Sequence, residues 1–126
     1  MKSKILKRTF QVWKYEVSHQ KLLIRSPSSP NLETNIDIVF YGVKFMELKD
    51  IFHGIEFLAV TPDELTSVNQ LFLSEQSKTK LYKFRSEGRE FRVVALTRKI
   101  YRNNLDWLDD GFDSEVLLES PELEFS

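Results

Sequence analysis

The stretch Lys80–Thr97, KLYKFRSEGREFRVVALT, decides the fold. Two apolar-alternating runs flank Glu87-Gly88, a fair two-residue hairpin turn. With that turn, Phe84 stands opposite Phe91, Tyr82 opposite Val93 and Lys80 opposite Ala95. This makes one apolar face with an aromatic cross-strand pair. The other face sets Arg85 against Glu90, Lys83 against Arg92 and Leu81 against Val94.

Upstream, Thr61-Pro62-Asp63-Glu64 reads as a helix start. Thr61 serves as the cap, Pro62 takes the first helical position and Glu64 closes a capping box, while Asp63 favours the positive end of the helix dipole. The helix is expected from Pro62 to about Leu71. Residues 54–61, GIEFLAVT, form a nearly continuous apolar run before it, as a buried strand does. Residues 35–43, NIDIVFYGV, put Ile36, Ile38 and Phe40 on one face and Asp37, Val39 and Tyr41 on the other. A strand with apolar residues on both faces is expected to be central, with a bulge or bend at Gly42. Lys44–Leu48 extends it as a bent edge.

Before residue 35 lies a loop, residues 26–34, SPSSPNLET, where two Pro and three Ser remove helix and strand options. The first hairpin is expected over residues 10–25. Trp13, Tyr15 and Val17 alternate with Lys14 and Glu16, Ser18-His19-Gln20 turns, and KLLIR returns. The resulting expectation is a mainly β (α+β) fold. It is an antiparallel curved sheet or partly open barrel of about five to seven strands, with one short helix starting near Pro62. A single β-rich domain is expected over residues 1–104, with 105–126 as an acidic, apolar tail partly docked on it.

The chain has 126 residues, ten Phe and no Cys. The lack of Cys excludes a disulfide framework, a thiolate zinc site and a Cys nucleophile. The opening MKSKILKR is basic with no apolar run after it, unlike a secretory signal, and no apolar stretch approaches ~20 residues. The cytoplasm is the expected compartment.

Motif chemistry is sparse. Four scattered Gly leave no phosphate-cradling loop. His19 and His53 lack metal-ligand spacing, so no metal and no cofactor is expected. Ser18-His19 resembles a nucleophile–base pair, but adjacent side chains in an extended chain point to opposite faces. If a small-ligand or catalytic site exists, strand context makes His19, Arg25, Asp37, Tyr41 and His53 the candidates.

Charge is the informative feature. Residues 78–102 hold nine basic residues against two acidic, a net of +7, whereas 103–126 hold eight acidic residues and no basic one. Like charges directly opposite on a strand pair destabilise it, and Lys83 faces Arg92. An anion is therefore expected across that face: the chain's own tail, an acidic partner protein, or, as a weaker alternative, nucleic-acid phosphate. Against nucleic acid, the face lacks an aromatic residue to stack bases. Candidate partner-binding residues are Lys83, Arg85 and Arg92, with Trp107, Asp109 and Asp110 from the tail. The expected function is a small intracellular protein-binding module: an inhibitor, adaptor or immunity-type protein. An enzyme or small-ligand protein is the alternative.

Overall fold

The computed structural model describes residues 4–30, 34–71 and 79–103. Eight strands and one helix follow in the order β1 (Lys4–Glu16), β2 (Lys21–Ser26), β3 (Asn35–Tyr41), β4 (Phe45–Glu47), β5 (Ile51–Leu58), α1 (Pro62–Leu71), β6 (Lys80–Ser86), β7 (Arg89–Ala95) and β8 (Thr97–Asn103). They form a single antiparallel sheet in the order β4-β7-β6-β5-β1-β2-β3-β8. The fold is thus mainly β with one short helix, and the sheet curls without closing into a barrel.

Among the described residues there are eight strands rather than five to seven, because the chain bends sharply at two places. At Gly42–Lys44 the chain of β3 turns into β4, and at Leu96 that of β7 turns into β8. The two corners meet: Leu96 N–H donates to Tyr41 O at 2.9 Å and Lys44 N–H to Val94 O at 2.7 Å. Gly42 is required here. Its φ is +66°, and a Cβ would lie 2.5 Å from Leu96 Cδ1.

The inner, concave face holds the core. Phe10, Leu22, Ile24, Ile38, Phe40 and Phe52 are among its buried members. Phe52 lies edge-on to Phe84 and Phe91 at 5.1 and 5.0 Å, and Phe84 stacks on Phe91 at 5.6 Å. Such rings supply much of the driving force, since truncating a buried Phe typically costs ~3–5 kcal/mol. The curl is visible in Arg98 of β8, which reaches across to Phe57 of β5 and Tyr82 of β6, at 4.6 and 5.1 Å from the ring centroids.

The hairpin register matches the expectation residue by residue, from Lys80–Ala95 through Lys83–Arg92 to Arg85–Glu90. Glu87 and Gly88 both have positive φ, 52° and 78°, as a type I′ turn needs. The helix start is also as expected: Thr61 N–H donates to Glu64 Oε1 at 3.0 Å, and Glu64 N–H to Thr61 Oγ1 at 3.2 Å.

One face assignment is overturned. The β1–β2 register shifts between Val12 and Lys14, so Trp13 and Tyr15 do not share a face. Tyr15 packs against the inner core, whereas Trp13 packs with Leu23 and Val39 on the outer face. Val17 shares neither environment and lies exposed at the turn. An extra residue in one strand reverses every side chain beyond it, because the side-chain period is two.

Candidate functional site

The hairpin's outer face projects Lys83 and Arg85 from β6 and Glu90 and Arg92 from β7. The neighbouring strands extend these pairs into two rows: Glu47 of β4 lies beside Arg92, and Glu56 of β5 beside Arg85. Arg92 Nη1 is 3.7 Å from Glu47 Oε1, and Arg85 Nη1 is 3.4 Å from Glu56 Oε1. Glu90 lies 3.6 Å from Lys83 and 3.7 Å from Arg85.

The shortest of these contacts comes from the helix. Lys83 Nζ donates to Glu64 Oε2 at 2.7 Å. Glu64 uses its other oxygen in the capping box, so one carboxylate closes the helix start and neutralises the strand cation. The hydrogen bond from Lys83, with the backbone bond from Thr61, lowers the Glu64 carboxyl from 4.5 to about 2. The repulsion between Lys83 and Arg92 is therefore offset within the domain, by Glu64 and Glu90 on one side and Glu47 on the other.

Of these glutamates, the hairpin register places Glu90 opposite Arg85 and the capping box accounts for Glu64, whereas Glu47 and Glu56 carry no local signal. Nothing in the linear order places Glu47 or Glu56 beside the hairpin; strand order does. Leu81 and Val94, the apolar pair on this face, pack against Val60. Trp107, Asp109 and Asp110, and the docking of the tail they belong to, lie outside the described residues.

The five candidates for a ligand site are distributed over the sheet. His19 sits in the exposed β1–β2 turn and His53 on β5. His53 pairs with Thr9, whereas the turn begins after Glu16, seven residues further along β1, or roughly 23 Å at ~3.3 Å per residue. His19 Nδ1 contacts Glu16 Oε1 and lies 3.2 Å from Ser18 Oγ. A relay needs the hydroxyl and the carboxylate on opposite ring nitrogens; here both address Nδ1. His53 Nδ1 meets Thr9 Oγ1 at 3.2 Å.

Arg25 and Asp37 are brought together, as a buried bidentate ion pair. Arg25 Nε donates to Asp37 Oδ1 at 2.7 Å and Nη2 to Oδ2 at 2.9 Å, with both side chains fully buried. Trp13 stacks over the guanidinium at 5.4 Å. The two parallel bonds fix the guanidinium and the carboxylate against each other, the geometry of a structural ion pair. Tyr41 lies further along β3, with its hydroxyl 3.5 Å from that of Tyr101. Burial and that neighbour push the Tyr41 hydroxyl well above the usual phenol range.

An open groove of about 410 Å³ runs past the β6–β7 turn, lined by Lys7, His53, Glu56, Arg85, Ser86 and Glu87 among others. It contains one histidine of the two. Among the described residues no group of three His, Asp or Glu is placed to hold a metal ion, and no helix is long and apolar enough to cross a membrane. No protein-family model, curated protein or solved structure matches the chain.

Proposed function

We propose that this chain is a small intracellular protein-binding module, of inhibitor, adaptor or immunity type. Its contact surface is the outer face of β4, β7 and β6, at the end of the sheet that β4 forms among the described residues. The observation that carries this reading is β4. It ends the strand order, with β7 on one side and no strand on the other among the described residues. Phe45 and Met46 on it are 41% and 39% exposed. A terminal strand bearing partly exposed apolar side chains offers a contact surface for a partner's strand or loop. Its three-residue length limits non-specific pairing.

The adjacent charges suit the same role. Arg92 and Glu47 are about half exposed and 3.7 Å apart. An ion pair this exposed contributes little to folding, so its members are readily re-paired with charges of a partner. Charges arranged in this way steer association and choose partners more than they add affinity. The absence of cysteine suits a reducing compartment.

The test is affinity capture from a native lysate at low salt, using the wild-type chain and a Phe45→Ser/Met46→Lys variant that keeps the wild-type circular dichroism. The expected outcome is a protein bound by the wild type, released by salt and missing from the variant's eluate. Equal capture by both chains, or no specific protein with either, overturns the proposal.

A further inference from the structure

The outer face of β2 and β3 presents a physical problem. Leu23 and Val39 stand directly opposite each other on it, and Arg25 and Asp37 follow one pair further along. All four are fully buried, and Tyr101 of β8 beside Asp37 is nearly so. The outer face of a one-layer sheet is open to water unless something lies over it. A buried ion pair makes the demand stronger, since desolvating it requires complete cover.

The described residues supply only margins. Trp13 and Tyr41 pack against this cluster while staying partly exposed themselves. Helix α1 packs on β6, three strands away in the sheet order. The burial also arises within one chain. We infer that the outer face of β2, β3 and β8 is a docking surface for the chain's own C-terminal segment, residues 104–126.

Reach selects this segment. It leaves β8 at Asn103, which pairs with Asn35, four residues from Val39 on β3 and so ~13 Å away. Its 23 residues span ~35 Å even when helical, enough to run back along β3. Residues 31–33 reach at most ~10 Å from a loop level with Asn35. Residues 1–3 join Lys4, which pairs with Phe57, seven residues before Gln11, the β1 partner of Arg25. Residues 72–78 begin at α1 and end at β6.

Chemistry selects it too. The segment offers Trp107, Leu108, Phe112 and Val116–Leu118 as apolar cover and eight carboxylates with no basic residue. By strand alternation, Lys21 and Lys99 lie on the outer face of the same strands, and Lys14 of the adjoining β1 lies beside Leu23 on that face. The tail is thereby directed to the opposite region of the sheet from Lys83 and Arg92, whose charges Glu47, Glu64 and Glu90 already meet. This inference is independent of the proposed partner surface on β4.

The test places a nitroxide spin label on a Ser114→Cys variant of the full chain, which has no other cysteine. Amide NMR signals of Leu23, Val39 and Tyr101 are expected to lose most of their intensity, while those of Leu81, Lys83 and Arg92 keep theirs. Loss centred on the hairpin, or no loss at either place, overturns the inference. Loss transferred in full to an unlabelled, isotope-enriched chain mixed with the labelled one also overturns it, because the cover is then a second copy. In a Trp107→Phe background, truncation after Asn104 is expected to red-shift Trp13 emission; unchanged emission with the sheet's circular dichroism intact counts equally against it.

Discussion

Two ion-pair regions lie on the same outer surface of this sheet and obey opposite rules. Around Arg25 and Asp37, two charges are fully removed from water, bonded in parallel at 2.7 and 2.9 Å and flanked by the Trp13 indole. Around Lys83 and Arg92, several carboxylates share several cations at 2.7 to 3.7 Å, mostly with water access. In the first region each partner is indispensable to the other, because a lone buried charge has no solvent to fall back on. In the second, water and neighbouring charges substitute for any member removed. The buried pair therefore contributes order, and the exposed network contributes a surface whose charges are open to exchange.

That contrast breaks most visibly at Asp37. Asp37→Ala leaves Arg25 charged and buried, and is expected to lower unfolding free energy by ~3–5 kcal/mol in urea titrations. The double variant Arg25→Met/Asp37→Leu is expected to recover most of the loss, since an apolar pair of similar volume does not need desolvation. A loss as large as that of the single variant would mean that the pair is net stabilising. Arg25→Lys keeps the charge but not the fork, and is expected to cost ~1–3 kcal/mol, between the two.

The exposed region should respond to pH before it responds to mutation. The Glu64 carboxyl is lowered from 4.5 to about 2 by Lys83 and Thr61. The stability from that contact is fully present above pH 4.5 and is lost as pH falls through about 2. In Lys83→Met the Glu64 carboxyl returns towards its ordinary value, so melting temperature should fall less steeply over that window than in the wild type. Parallel curves for the two chains would remove Lys83 as the cause. The smallest effect is expected at Arg92→Ala, within about 0.5 kcal/mol and vanishing at high salt. A larger, salt-insensitive loss would place Arg92 with the buried pair rather than the exchangeable set.

Local signals were legible where one short-range rule acted alone. Glu87-Gly88 between alternating runs set the β6–β7 register, and Thr61-Pro62-Asp63-Glu64 set the start of α1. The face of Trp13 was not legible, because one bulge in β1 reverses alternation and nothing in FQVWKYEV marks it. Strand β8 was missed because Arg98 and Arg102 alternate with Ile100, and only the curl of the sheet gives Arg98 its stack on Phe57 and Tyr82. Of the candidate site residues, the opposition of Lys83 and Arg92 was readable, and the glutamates that answer it were not.

Composition and spacing by themselves determined a cysteine-free, antiparallel, β-rich chain with one capped helix, because turn chemistry, capping and alternation act over a few residues. Tertiary structure alone decided which carboxylates meet which cations, that Arg25 meets Asp37, and that β4 ends the strand order among the described residues. Those outcomes depend on strand order and curvature, which bring together residues dozens of positions apart, and charge attraction has no sequence range of its own.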